Sequence, residues 1–419
     1  MRIAFSTFGC KINQYETDLM RQAVAGEGNA IVPFDGDADV YIINTCSVTA
    51  KSDTQCRQAI RAVVRRSPSA RVVVTGCYAE TRPEEIRAIP GVTAVLGNRE
   101  KSGIVRHMPV LRGEGTSRAA HAADVGTRTR RFLKIQDGCD SRCSYCIVPH
   151  ARGASRSIPR QEVVAAFQRL VDEAAPEVVL SGIHIGTYGK DLAPRETLGG
   201  LVGELVSRRQ GTRIRLSSIE PREVTGELIG FLGQGLCRHL HIPLQSGDDE
   251  ILRAMNRDYT ANLYRDLVTS IARQVPGIAI GADVMVGFPG EEDRHFHHTV
   301  QLIEDLPITH VHVFSYSPRP GTPAASLPAQ VPEAVKKERN EAVRSIGIKK
   351  NIAFRRAFVG ADLEVVIEDK IIDEGYVGLT DNYLKVAVGG AKKGNVSSLL
   401  RVRIMEAEEK ALSGCVVGN

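Results

Sequence analysis

Short apolar runs ending at glycine, cysteine, serine or threonine, each followed by a helical stretch, recur along most of this chain. Arg2–Thr7, Val40–Asn44, Arg71–Thr75 and Val92–Leu96 read as buried strands. Asn13–Glu27, Lys51–Arg65 and a stretch after Pro83 read as the helices between them. Strands that alternate with helices form a parallel sheet with right-handed crossovers. The same unit recurs further on, with candidate strands Arg131–Gln136, Glu177–Ser181, Arg213–Ser217, His239–Pro243, Ala279–Val286 and His310–Phe314. Candidate helices there are Arg160–Ala174, Leu198–Arg208, Asp249–Met255, Thr260–Val275 and Asp293–Leu306. Six such units suit an open or partial barrel, with chemistry at the carboxyl ends of its strands. A chain of 419 residues exceeds one ordinary core. The expected divisions are an N-terminal α/β domain over 1–102, a small, polar, non-periodic linker over 103–127, a central barrel domain over 128–352 and a C-terminal module over 355–418.

The cysteines keep register with this pattern. Cys10, Cys46 and Cys77 each fall just past the carboxyl end of a strand. In an open parallel sheet those ends share one edge, where ligands bind, so the three converge despite their separation in sequence. Separate structural thiols are the alternative reading. Cys56 is a control: it lies mid-helix and reads as a small core residue. Cys237 and Cys415 fit neither group and read as inert.

Cys139, Cys143 and Cys146 form a second set, spaced C-x-x-x-C-x-x-C in the loop after the first barrel strand. Soft thiolates select zinc or iron–sulfur clusters. Zinc would want a fourth protein ligand, for which His150 is available; a four-iron cluster held by three thiolates keeps one iron open for a small molecule. Nine cysteines in a reducing compartment point to metal or catalysis rather than disulfides.

The remaining barrel strand ends carry polar groups or glycine: Ser181-Gly182-Ile183-His184, Ser217-Ser218-Ile219-Glu220, Gln245-Ser246-Gly247, Gly287-Phe288-Pro289-Gly290 and Ser315-Tyr316-Ser317-Pro318. Gly, Ser and Pro also simply form loops. A polar cofactor at this mouth needs such groups, and Glu220 and Gln245 are placed to hydrogen-bond it. His184, His239 and His241 are available as ligands, but histidines in such places are more often satisfied core or loop residues.

The C-terminal stretch changes character. Asp362–Glu368, Tyr376–Val388, Leu399–Glu406 and Leu412–Val417 read as strands of a small all-β barrel of a kind used against nucleic acid. Arg355, Arg356, Lys370, Lys385, Lys392, Lys393, Arg401 and Arg403 supply basic sites, interspersed with acids. The net charge of +5 is a weak basic bias. The basic run Thr127-Arg-Thr-Arg-Arg131 reads equally as solvated or phosphate-facing. No run approaches a membrane span, and the N-terminus begins as a strand rather than a signal peptide, so the expected compartment is the cytoplasm.

Taken together, these features resemble the radical S-adenosylmethionine (SAM) methylthiotransferases over essentially the whole chain. Thr7-Phe-Gly-Cys10-Lys-Ile-Asn-Gln-Tyr-Glu-Thr17, Asn44-Thr-Cys46-Ser-Val-Thr49, Arg215-Leu-Ser-Ser-Ile-Glu-Pro221 and Ser315-Tyr-Ser-Pro-Arg-Pro-Gly-Thr322 are similar to the branch acting on tRNA N6-threonylcarbamoyladenosine. His241-Ile-Pro-Leu-Gln-Ser-Gly247 and Asp283-Val-Met-Val-Gly-Phe-Pro-Gly290 match the wider family, and the C-terminal module resembles a TRAM domain. Ile158 and His150 depart from the family's usual Arg and Tyr.

The resemblance implies two [4Fe–4S] clusters, one on Cys139, Cys143 and Cys146 and an auxiliary one on Cys10, Cys46 and Cys77. It implies SAM near Tyr145, Ser181, Gly182, Ser218, Glu220, Gln245 and Met285. The product carries a methylthio group on C2 of the modified adenine 3′ of the anticodon. The implied partners are the anticodon stem-loop of tRNA and an electron donor such as a flavodoxin system; the enzyme is expected to be a monomer with no membrane partner. The rival readings are action on isopentenyl adenosine, whose branch tends to open G-C-Q-M-N, action on a ribosomal protein side chain, and a non-catalytic zinc- and RNA-binding protein.

Overall fold

A computed structural model describes residues 1–107, 128–372, 375–408 and 410–417. From residue 108 onward the expected linker lies outside the described residues. Two compact units divide the chain. The first gathers the described residues of Met1–Thr127 with Gly138–Ala154 and Ser317–Ala325; the second holds Arg128–Asp137, Ser155–Tyr316 and Ser326–Asn419. Two segments expected in the central domain are thus packed with the N-terminal sheet.

The first unit is built on five parallel strands: β1 (Arg2–Thr7), β2 (Ala30–Val32), β3 (Val40–Thr45), β4 (Arg71–Gly76) and β5 (Val92–Leu96). Their order is β2-β1-β3-β4-β5. Every residue of β3 is buried, as a central strand covered on both faces requires. Ile3, Phe5, Val40 and Ile42 pack with Met20 and Val24 of the helix Lys11–Gly26. Ala4, Tyr41, Ile43 and Val74 pack with Ile60 and Val63 of the helix Ala50–Arg66. Adjacent residues on one strand therefore serve opposite faces. The edge strand β2 was not expected; at three residues it is too short to show a period.

In the second unit, β6 (Arg130–Lys134), β9 (Glu177–Ser181) and β10 (Arg213–Leu216) form one parallel set, ordered β10-β9-β6. β11 (His239–His241), β12 (Ala279–Val286) and β13 (His310–Ser315) form another, ordered β11-β12-β13. Parallel bridges Ile214–Leu236 and Ser218–His241 link the two sets. The result is six parallel strands in chain order, with no pairing between β6 and β13 among the described residues, which is the expected partial barrel. A ribbon of β7 (Gln136–Asp137) and β8 (Arg156–Ser157) lies beside it.

Alternate residues face outward. Val178, Leu180, Ile214, Leu216, Ile280, Ala282 and Val284 join one core with Phe167, Leu201, Tyr264, Val268 and Leu302 of the surrounding helices. The residues between them line the inside. Helix starts are fixed by Thr197, Thr225, Asp248 and Thr260, whose side chains accept first-turn backbone N–H groups. The helices Gly226–Phe231 and Glu333–Arg356 were not expected. The second packs along β13, where a Cβ at Gly347 would lie 3.0 Å from Val311 Cβ.

The C-terminal module is a closed barrel, β14-β15-β16-β18-β17, made of β14 (Asp362–Ile372), β15 (Gly375–Thr380), β16 (Lys385–Gly389), β17 (Leu399–Ala407) and β18 (Leu412–Val416). The single run expected over Tyr376–Val388 is two strands. A turn through Asp381 and Asn382 breaks it, and Tyr383 takes φ +63°. That turn meets the first residues of the large barrel's strands. Arg213 donates to Glu364 and Leu379 carbonyls, and Arg215 to those of Thr380 and Asp381. Tyr383 stacks on His239 with centroids 4.2 Å apart. Both arginines converge on buried Glu177 at 2.8 Å. Burial opposes that charge, but Arg215, Arg213 and Arg130 outweigh it and hold the carboxyl at about 2. The basic residues near this junction are mostly committed to structure: Arg130 pairs with Glu368, Arg131 with Glu173, Arg401 and Arg403 with Asp362, and Arg355 bonds the carbonyls of Glu408 and Ala411. Lys370, Lys392, Lys393 and Arg356 remain exposed.

Candidate cluster and cofactor site

The strand order of the first unit reverses between β1 and β3, since β2 lies on one side of β1 and the rest of the sheet on the other. Such a switch point opens a crevice beyond the carboxyl ends of the strands. Cys10 caps the helix that follows β1, Cys46 directly follows β3, and Cys77 opens the helix that follows β4. The expected register holds for all three.

Two glycines let these loops approach one another. Gly9 has φ +98°, and a Cβ there would sit 2.8 Å from Cys46 Sγ. Gly76 has φ +104°, and its Cβ would fall 2.3 Å from Thr45 O. Asn13 ties the loops together, its amide donating to Phe8 O at 2.8 Å and Thr45 O at 2.9 Å. Burial pushes the Cys46 thiol up to about 11, and the neighbouring Cys77 and Cys10 thiols add to it. Three cysteines brought within electrostatic reach of one another, with glycine beside Cys46, suit a thiolate-bound cluster. Cys56 is wholly buried in the core behind, its thiol pushed to about 12 by burial.

The loop bearing Cys139, Cys143 and Cys146 belongs to this same unit. Gly138, at φ +73°, turns the chain into it; a Cβ there would lie 2.0 Å from Ala154 O. Cys139 N donates to Gly153 O at 3.0 Å, closing the loop at its base, and Cys146 N donates to Cys143 O at 3.1 Å. The exit helix Val148–Arg152 is fastened by Arg152, which donates to Glu16 at 2.8 Å and to Asn13 at 2.7 Å. Lys101 meets the same Glu16 at 2.7 Å. Asn98 spans the two sets, its amide lying 3.9 Å from Cys77 Sγ and 2.6 Å from Ala151 O. From the segment Ser317–Ala325, Arg319 reaches Ser47 at 2.8 Å and pairs with Asp53. A cavity of about 290 Å³ beside them is lined by Glu80, Thr81, Arg82, Ile147, His150, Arg319 and Pro320.

Asn13, Glu16, Asp53, Lys101, Arg152 and Arg319 were not singled out from the sequence. Asn13, Glu16 and Arg319 stand inside motifs quoted above, and Arg152 follows the second cysteine set closely, so proximity to the cysteines or to the Ser-Pro-Arg-Pro run was the available signal. Asp53 and Lys101 carried none.

Of the expected SAM-contacting residues, Tyr145 lies in the first unit and the rest in the second. Ser181 is buried and its hydroxyl turns back to Val179 O. At Gly182 a Cβ would come within 2.9 Å of Gln136 Oε1, which accepts the Ile183 and His184 amides. Ser218 is exposed. Glu220 is already paired with Arg257, while burial raises its pKa. Gln245 adopts φ +60°, donates its N–H to Asp283 O and accepts from Met285 N. Met285 is half-buried on the inner face. His184 Nε2 lies 2.8 Å from Glu223 Oε1.

Residues 2–97 match the model described as uncharacterized protein family UPF0004, and residues 133–303 match the radical SAM superfamily. The chain is 39% identical to the threonylcarbamoyladenosine tRNA methylthiotransferase MtaB of Bacillus subtilis (strain 168), over 97% of this chain and 94% of that one. It is 36% identical to the protein of that name from Aquifex aeolicus (strain VF5), over 96% of this chain and 100% of that one. A tRNA-2-methylthio-N(6)-dimethylallyladenosine synthase from Novosphingobium aromaticivorans is 33% identical over 97% of this chain and 96% of its own. Among solved structures, the radical SAM methyltransferase TsrM from Kitasatospora setae superposes with a TM-score of 0.57 at 17% identity, over 77% of each chain. That likeness concerns the fold alone.

Proposed function

This chain belongs to the MtaB family of radical SAM tRNA methylthiotransferases, and we propose that it places a methylthio group on C2 of N6-threonylcarbamoyladenosine in the anticodon loop of tRNA. In this reading Cys139, Cys143 and Cys146 hold the SAM-binding [4Fe–4S] cluster and Cys10, Cys46 and Cys77 hold an auxiliary one. When bound, the clusters and SAM supply the one-electron chemistry that activates the C–H bond, and the sulfur and methyl group that replace its hydrogen.

The protein's own part is positioning and exclusion of water. The observation that carries the reading is the gathering of Cys10, Cys46 and Cys77 at the switch-point edge, in one compact unit with the C-x-x-x-C-x-x-C loop. Asn13 holds two of the sheet's loops, and through Arg152 it also holds the helix that leaves the other cysteine loop. Burial of Cys46 keeps solvent from its sulfur. In this reading Ser181, Gly182, Ser218, Glu220, Gln245 and Met285 of the second unit supply polar groups and close packing to SAM. Lys370, Lys392, Lys393 and Arg356, exposed on or beside the C-terminal barrel, give the RNA backbone cationic contacts. No described helix is long and apolar enough to cross a membrane. The reading is completed by a cytoplasmic monomer and a flavodoxin-class electron donor.

The test is mass spectrometry of tRNA nucleosides from cells lacking the gene, complemented with the wild-type chain or with Cys46→Ala. Loss of the methylthiolated threonylcarbamoyl nucleoside, restored only by the wild type, is expected. If the isopentenyl nucleoside is the one that disappears, the substrate assignment is wrong. Full restoration by Cys46→Ala removes the auxiliary cluster from the reaction.

A further inference from the structure

Inside the second unit's barrel, His241, Asp283 and His312 bring one ligand atom each within 4.8 Å of the other two. The arrangement follows from register. Asp283 on β12 stands directly beside His312 on β13. His241, at the end of β11, pairs with Gly281, two residues before Asp283 on the same face of β12. Gly281 leaves the imidazole its place, since a Cβ there would meet His241 Nδ1 at 2.7 Å.

His241 Nε2 lies 2.9 Å and His312 Nδ1 3.5 Å from the same oxygen, Asp283 Oδ1. The two rings are tilted by 31° with centroids 5.2 Å apart. A tetrahedral zinc ion with bonds of about 2.0–2.2 Å separates its ligand atoms by roughly 3.3–3.5 Å. The His312–Asp283 separation lies within that span, and the His241–Asp283 separation, a hydrogen-bond distance, is shorter than it. Two imidazoles and a carboxylate suit Zn²⁺ or Fe²⁺. Asp283 and His241 are largely buried whereas the His312 side chain is 60% exposed, which gives an ion a way in and leaves coordination positions uncovered.

We propose that His241, Asp283 and His312 form a mononuclear divalent transition-metal site inside the barrel, separate from both cysteine sets. Three protein ligands and an open position are the arrangement of an ion that binds an exchangeable oxygen ligand, such as water or a substrate carboxylate, rather than one that only staples a fold.

Zinc is the probe. The cluster-loaded enzyme is equilibrated anaerobically with Zn²⁺, separated from free ion, and assayed for zinc and iron by mass spectrometry. One zinc per chain beyond the cluster iron is expected. His312→Ala, at the exposed ligand, is expected to weaken zinc binding by more than about 100-fold, beyond what loss of an outer-shell partner costs. Iron content and thermal unfolding should not change. Asp283→Asn should act likewise and serves where His312→Ala alone is ambiguous. Zinc retained in full by both variants overturns the site, as does a wild-type chain that takes up none. Neither result bears on methylthiolation through the cysteine clusters, which the unchanged iron content and the nucleoside assay report separately.

Discussion

Two cysteine sets sit in one compact unit, and the chain builds them in opposite ways. One is local: three thiols within eight residues, in a loop closed by a backbone hydrogen bond from Cys139 to Gly153. The other is topological, since Cys10, Cys46 and Cys77 come from three different strands and meet because the sheet is parallel. The local set needs a turn to form. The topological set needs the whole sheet, and it depends on residues that carry no chemistry of their own.

The sharpest break in that comparison comes from the ligands. Cys143→Ala is expected to abolish SAM cleavage and methylthiolation together, whereas Cys46→Ala should abolish methylthiolation and retain SAM cleavage. Each should lose about half of the iron. Quantifying 5′-deoxyadenosine, iron and modified tRNA in parallel decides it, and SAM cleavage lost in both variants would mean the two sets are not independent.

Next in size are the glycines. Gly9→Ala forces a Cβ toward Cys46 Sγ at a positive φ, and Gly138→Ala forces one into Ala154 O. Strain of about 1–3 kcal/mol is expected at each. Iron should fall selectively, from the sheet set in the first variant and from the loop set in the second. Electron paramagnetic resonance of the reduced protein separates the two.

Asn13→Ala should remove less iron at a similar energetic cost, because it forces no new atom against a cysteine loop. It removes two hydrogen bonds to loop carbonyls and one from Arg152, at about 1–3 kcal/mol for the buried groups left unpaired. Because Asn13 touches both the sheet loops and Arg152, partial iron loss from both sets is expected, and loss confined to one would show that the tie is not shared.

The smallest effect on iron is expected at Glu177, which belongs to the second unit whereas both cysteine sets belong to the first. Its folded pKa, about 2, is below its unfolded value of about 4.3. The stabilisation is therefore complete above the unfolded value and is lost as pH falls from there toward 2. Urea unfolding of the wild type should weaken over that window. Glu177→Gln should flatten the dependence while leaving neutral-pH iron content unchanged.

The parts of the fold legible in the sequence were those encoded over a few residues. Strand ends were visible because apolar runs stop at Gly, Ser, Thr or Cys, and Val92–Leu96, Glu177–Ser181, Ala279–Val286 and Leu198–Arg208 fall where their periodicity places them. β2 escaped because three residues show no alternation. The run Tyr376–Val388 was read through because Asp381 and Asn382, a turn signal, sit between two apolar stretches. The site divides the same way. The cysteines could be read from their position after strands. The pairing of Arg152 with Glu16 joins residues 136 apart, and Arg319 with Asp53 joins residues 266 apart, so no local pattern announces either. His241 looked like an ordinary core histidine because its partners, Asp283 and His312, are supplied by strand register alone.

The turn through Tyr383 has a practical consequence for dissecting this protein. Because it supplies the carbonyls that receive Arg213 and Arg215 and the ring that lies on His239, the C-terminal module also serves as a stopper seated in the floor of the larger barrel. A truncated chain ending near residue 356 would leave two guanidinium groups without those acceptors in the protein interior. Its failure to modify tRNA would then report a damaged catalytic scaffold as much as a missing grip on RNA, and point changes at exposed Lys392 and Lys393 are the cleaner way to separate the two.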